Sequence, residues 1–158
     1  MNALFDAAPL PNLRFRLLWE AMVDLAPMEE LGSGPYGERR IVPIIGGGFR
    51  GGPDLPGFHG EVLPGGADRQ LIRADGAKEL DALYEMRVQD GTVLTVRNRV
   101  LIDETGGGLD YAVSRIEVTA PEGPWGWLGR RSIAGTLIPA RPAREAVIIR
   151  GWELSTSA

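Results

Sequence analysis

The sequence predicts an all-β protein: one domain over residues 1–158, built as a small antiparallel β-barrel of about eight to ten strands. Three observations point there. The chain carries 22 glycines and 12 prolines in 158 residues, and they interrupt short apolar segments along the whole length. Several of those segments alternate apolar and polar residues with period two, the mark of a strand with one dry face. No interior stretch has the helical periodicity to support more than two or three turns. Closure of such a sheet removes its edges and leaves an interior filled with side chains or holding one small ligand.

Taken in order, Phe15 to Leu25 has apolar residues at Phe15, Leu17, Trp19, Ala21, Val23 and Leu25 against Arg14, Arg16, Glu20 and Asp24. Leu18 and Met22 blur this pattern, and the stretch also reads as a short amphipathic helix. Arg39 to Ile45 is β-branched and apolar and stops at Gly46-Gly47-Gly48, where a turn is expected. Phe58 to Leu63, closed by Pro64-Gly65-Gly66, and Asp68 to Arg73, closed by Ala74-Asp75-Gly76, each read as strand and turn. Lys78 to Val88 and Thr92 to Leu101 flank Gln89-Asp90-Gly91, and Asp-Gly between alternating runs predicts a hairpin with a tight primed turn. Asp103 to Leu109 is a polar, glycine-rich loop. Tyr111 to Thr119, Ile133 to Ile138 and Ala146 to Leu154 complete the strands, with 1–12 and 155–158 expected as flexible termini.

Composition excludes much familiar chemistry. There is no cysteine and one histidine, so disulfides, thiolate nucleophiles, zinc ribbons, iron–sulfur clusters and histidine-rich metal sites are out. No metal and no cofactor is expected, and the glycine clusters Gly46-Gly47-Gly48 and Gly106-Gly107-Gly108 lack the Lys-Ser/Thr and helix start of a phosphate cradle. With a formal net charge of −4 and a pI near 5.1 the chain offers no footprint for nucleic acid. No apolar run reaches the roughly 18 residues of a membrane helix. The start reads as no secretory signal, so a cytoplasmic location is the default expectation.

The run Gly37-Glu38-Arg39-Arg40-Ile41-Val42-Pro43-Ile44-Ile45-Gly46-Gly47-Gly48-Phe49-Arg50-Gly51, then Gly60-Glu61-Val62-Leu63-Pro64-Gly65-Gly66-Ala67-Asp68, then Asp75-Gly76 and Asp90-Gly91, resembles the DUF3237 family, also called UPF0311. The likeness covers roughly Phe15 to Leu154. It implies a small antiparallel β-barrel and little chemistry. The chain departs from the family pattern at Arg69, where an aromatic Trp is usual, and at Arg99-Val100, where a small Gly usually follows the Arg-Asn segment; both positions are expected at a pocket rim.

Asp68, beside a glycine turn at a strand start, is a candidate general base or acid, or else a turn residue bonding its neighbouring backbone; the family motif adds weight to the first. On Thr92 to Val100 the alternation puts Arg97 and Arg99 on one face and Leu94, Val96 and Asn98 on the other. Arg97 or Arg40 facing inward would offer a planar donor fork to a carboxylate, enolate or phenolate, and facing outward would be a solvated surface. Asn98 among apolar neighbours is a bonded core amide or a ligand contact. Tyr84 shares the dry face of Leu80, Ala82 and Met86, opposite to Asp81. His59 and Glu61, two apart, share a face on which a carboxylate could orient an imidazole. Trp127, with Trp19, Trp125 and Trp152, lines an aromatic pocket or belongs to ordinary core.

These residues lead to a cofactor-independent lyase, isomerase or hydrolase acting on a mostly apolar, oxygenated small molecule, such as an aromatic or polyketide-like metabolite, in the barrel mouth. Asp68, Arg97 and Tyr84 would carry the catalysis, and Arg40, Asn98, Glu61, His59 and Trp127 would bind. The alternatives are a non-catalytic binding protein with the same pocket, and a subunit whose barrel rim is covered in a homo-oligomer.

Overall fold

A computed structural model describes residues 1–106 and 110–156. Apart from helix α1 (Asn2–Ala7) and a 3-10 turn over Gly126–Arg130, the regular structure is ten strands. They are β1 (Leu13–Leu25), β2 (Glu29–Gly34), β3 (Gly37–Gly51), β4 (His59–Val62), β5 (Gly66–Ile72), β6 (Lys78–Val88), β7 (Val93–Asp103), β8 (Tyr111–Thr119), β9 (Ser132–Pro139) and β10 (Ala146–Thr156). All pairings are antiparallel, and the strands share positions around a closed eight-stranded wall. β1 and β2 follow one another along one edge of β3, while β5 and β4 follow one another along its other edge, each bridging to β6. From β6 the wall runs through β7, β8, β9 and β10 back to β1. The β8–β9 ladder is short, with register pairs only from Ser114–Gly135 to Ile116–Ile133.

Which residues face inward is set by two irregularities. The β1–β10 register slips between Leu17 and Trp19, so Leu18 is an inserted residue, and both Leu18 and Trp19 are fully buried. The slip reverses the pleat for everything before it. Phe15, expected on the dry face, is therefore 62% exposed. The second slip lies between Asp24 and Leu25 where β1 meets β3, pairing Asp24 with Gly46 and Leu25 with Ile44. Gly46-Gly47-Gly48 thus lies inside β3 and does not end it. A Cβ on Gly47, at φ +128, would stand 1.9 Å from the carbonyl oxygen of Met22, so the glycine lets β3 lie close against β1.

Other boundaries also move. The hairpin between β6 and β7 has a three-residue loop: Val88 N–H donates to Thr92 O at 2.8 Å, and Gly91 N–H donates to Val88 O at 2.8 Å. Among the described residues only glycines have positive φ, so Gly91 alone, at +93, supplies the left-handed residue of a type I turn with a bulge, and Asp90 caps the turn by accepting from Thr92 N–H. Ser155 and Thr156 are not a loose tail, since they pair with Arg14 and Leu13. β2 has no counterpart among the expected strands because its residues, Glu29–Gly34, bury no alternating apolar set. The last two glycines of Gly106-Gly107-Gly108, Leu109 and residues 157–158 lie outside the described residues.

One end of the barrel is plugged. Trp19, Phe49, Phe58, Trp125 and Leu128 pack there, with Phe58 at the centre: its ring centroid lies 5.9 Å from Trp19, 5.1 Å from Phe49 and 4.8 Å from Trp125. Beyond them Glu153 accepts hydrogen bonds from Arg16 at 3.2 Å and Arg131 at 3.1 Å, and both guanidinium groups lie over the Trp127 ring.

The plug depends on bare backbone at Gly151. A Cβ there would fall 2.8–2.9 Å from three carbons of the Trp19 indole, which is sealed on its other sides. Gly151→Ala is expected to lower stability by about 1–3 kcal/mol through overpacking. Urea midpoints at unchanged m-value measure it, and a midpoint equal to wild type would mean that the indole has room to move.

Candidate functional site

The other end of the barrel holds a cavity of about 220 Å³ that is partly open to solvent. This is far above the roughly 10–15 Å³ that one water requires, and somewhat below the roughly 300–1,000 Å³ of sites for larger ligands. Its wall is mostly aliphatic, with Val23, Leu25, Ile44, Val100, Leu137 and Ile149 among its members, and it is interrupted by Asp68, Gln70, Tyr84, Asn98 and, at the rim, Arg141.

Strand register explains how the polar groups meet. Val42 on β3, Asp68 on β5, Ala82 on β6 and Asn98 on β7 form one continuous cross-strand row. Residues opposite one another across a ladder point to the same side of the sheet. Gln70 lies two residues beyond Asp68 on β5 and Tyr84 two beyond Ala82 on β6, so alternation turns both inward as well. Tyr84 is 1% and Asn98 2% exposed. Asp68 is therefore inside a strand, not in the turn that precedes it.

Six buried side-chain polar atoms among the described residues lack a hydrogen-bond partner, and three of them belong to this site: Asp68 Oδ1, Tyr84 OH and Asn98 Oδ1. Buried polar groups are normally paired, so three unpaired ones on residues lining one cavity set it apart from ordinary core. Asp68 Oδ2 is satisfied by Gln70 Nε2 at 2.8 Å. Burial pushes the Asp68 carboxyl above its ordinary value, outweighing the hydrogen bonds from Gln70 and the backbone at Asp81. A carboxylate capping a turn would shift the other way. Burial also raises the Tyr84 phenol, which stays protonated and able to donate.

The remaining candidates lie elsewhere. Arg97 faces outward, where its Nε and Nη2 grip the two oxygens of Asp81 at 3.0 and 2.8 Å; the parity that turns Asn98 inward turns Arg97 out. Arg40 is on the inward face of β3 but a step beyond Val42, outside the cavity lining and 3.7 Å from Glu38. His59 and Glu61 are exposed on β4, and Glu61 accepts from Arg87 at 2.9 Å, so the carboxylate holds a guanidinium and not the imidazole. Trp127 belongs to the plugged end. Of the positions expected at a pocket rim, Arg69 and Arg99 lie on either side of Asp81 on the outer face, whereas Val100 lines the cavity. Gln70 and Arg141 went unnoticed in the sequence. Gln70 was readable, two residues after Asp68 on one strand, whereas Arg141 follows β9 and carries no periodic signal.

The family model described as "Protein of unknown function (DUF3237)" matches residues 11–154, and the chain belongs to this family. A UPF0311 protein of Clostridium acetobutylicum is 44% identical over 62 residues, a stretch covering 39% of this chain and 37% of that protein. The crystal structure of a conserved protein of unknown function from Rhodopseudomonas palustris superposes with a TM-score of 0.79 at 28% identity, covering 92% of this chain and all of that one. An enzyme from Penicillium herquei shares the fold, with a TM-score of 0.71 at 20% identity over 94% of this chain and 98% of that one.

The raised Asp68 carboxyl has a signed consequence for stability. Between the ordinary carboxylate pKa and the raised one, the native state holds a proton that the unfolded chain has lost, so this group's contribution is full below the window and is lost as pH rises through it. Glu20, Asp75, Asp81, Asp90 and Asp103 are held low by hydrogen bonds and act in the opposite sense. The Asp68 contribution is isolated by difference: relative to wild type, Asp68→Asn is expected to gain stability as pH rises from about 4 to 7. Paired urea melts across that range measure it, and a difference that stays flat or falls would contradict a desolvated Asp68.

Proposed function

We propose that this DUF3237 protein is a cofactor-independent enzyme that moves a proton on a small, mostly apolar, oxygenated molecule held in the barrel cavity. The observation that carries this reading is that Asp68, Tyr84 and Asn98, each with an unpaired buried side-chain oxygen, line one mostly aliphatic cavity. A desolvated carboxyl titrates closer to neutral pH, where a proton acceptor is strong enough to act and still able to return what it takes. In its ionised form Asp68 removes a proton from carbon next to a substrate carbonyl. The C–H electron pair becomes a C=C bond, and the carbonyl π pair moves onto oxygen, where the neutral Tyr84 hydroxyl donates to it. Where the substrate carries a β,γ double bond the charge spreads to the γ carbon, and return of the same proton there completes an isomerisation without a co-reactant; loss of a leaving group from the β carbon of the same enolate would make a lyase.

Of the three reaction classes the sequence suggested, hydrolysis through a covalent intermediate has least support. The described lining contains no Ser, Thr, Lys or His, which leaves Asp68 and the protonated Tyr84 as its nucleophiles. That the fold serves an enzyme in Penicillium herquei adds an analogy of architecture only. The alternative, a binding protein without chemistry, uses the same cavity and differs at Asp68.

Asp68→Asn separates the two. It keeps the shape and the Gln70 contact but removes the proton acceptor, so turnover of a substrate found by screening enolisable carbonyl compounds should fall by roughly 10²–10⁴ while affinity persists. Undiminished turnover in the variant would remove Asp68 from the mechanism.

A further inference from the structure

The polar atoms of the cavity restrict the charge and the functional groups of what can bind. Ala82 lies between Asp68 and Asn98 in the cross-strand row, and a methyl group is all that separates the two inward polar side chains. Strand spacing puts the Asp68 and Asn98 backbones roughly 10 Å apart, and side chains inside a barrel converge from there. A flat ligand edge laid over Ala82 would therefore meet Asp68 at one end and Asn98 at the other, with Tyr84 alongside.

Charge narrows the choice. Among the described lining residues Arg141 is the one cation, and its Nε donates to Glu145 at 2.8 Å. An anionic ligand would bury its charge beside Asp68 without a free counter-ion. A cationic ligand would bury an ion pair, and taking two ions out of water into an aliphatic enclosure commonly costs as much as their attraction returns. A neutral ligand brings no charge of its own into the cavity. It can accept from the Tyr84 hydroxyl and donate to Asn98 Oδ1.

Resting on the reading of this cavity as the working site, we propose that it selects an uncharged compound with a hydroxyl beside a carbonyl, a hydroxy-ketone or enolised diketone, laid over Ala82 between Asp68 and Asn98. Ala82 then determines specificity by its smallness, and Asn98 by accepting the ligand hydroxyl.

Three single-ring probes of similar size test this by calorimetric titration at pH 7: 2′-hydroxyacetophenone, salicylate as its carboxylate counterpart, and phenethylamine as the ammonium. The neutral probe is expected to bind at least tenfold more tightly than either ion. Ala82→Leu should abolish that binding, and Asn98→Leu should weaken it about tenfold with the barrel still folded by circular dichroism. Should Ala82→Leu not fold, Ala82→Val and the Asn98 variant carry the test. Equal or tighter binding of salicylate or phenethylamine, no binding of the neutral probe, or unchanged affinity in the folded variants would each overturn the proposal. Turnover plays no part in these measurements, so a bound but unreactive probe counts only against the catalytic reading.

Discussion

The indole of Trp19 lying on the bare backbone of Gly151 is the contact on which the rest of this barrel depends. Phe58 stands edge-on to that indole, Phe49 and Trp125 pack against Phe58 at tilted angles, and together they fill one end of the interior. Below them Glu153 draws in two arginines that share Trp127, so that end is closed by packed rings and then by charge. A small closed sheet has one interior, and aromatic burial concentrated at one end lets the other end stay incompletely filled.

At the open end the usual rules of a core are broken. A carboxyl, a phenol and an amide point into aliphatic surroundings with polar atoms left over, an arrangement that costs stability in the empty protein. Such local violations are characteristic of working sites, where the groups are held for what they will meet and not for each other. Rigidity comes from the ladder: Asp68 and Asn98 hang from neighbours of the same strand, β6, whose register is fixed over ten pairs with β7. The outward positions on these same strands are used differently. Arg97 and Asp81 pair in solvent, where their contribution to function is remote and their contribution to stability modest.

The sequence made the strands readable wherever one face was dry. β6 and β8 begin and end at the expected residues, because alternation and the flanking turns agree there. Phe15 was misplaced because an inserted residue at Leu18 inverts the pleat, and a bulge leaves little trace in a run that is apolar at both Leu18 and Trp19. Gly46-Gly47-Gly48 looked like a turn because flexibility and close strand approach favour the same residue. For the site, period two placed Tyr84 on the dry face, but on β7 it left either face free to turn inward and so did not choose between Asn98 and Arg97, and Asp68 read equally as a turn residue. The pairings of Arg97 with Asp81 and of Glu61 with Arg87 were invisible, since they form between strands whose register no single segment encodes.

The neighbours that seal the wall come from opposite ends of the chain: β1 zips to β10 from Leu13–Thr156 to Asp24–Ala146. Local hairpins such as β6–β7 can form as soon as their own residues exist, but the ring stays an open sheet with two sticky margins until β10 has been made. A nascent chain leaving the ribosome would present the free edge of β1 through nearly the whole of synthesis, and the ring-closing contacts have the highest sequence separation in the molecule. The charged outer positions Glu20 and Asp24 on β1 then serve a second purpose, discouraging that waiting edge from pairing with another chain before its own partner arrives.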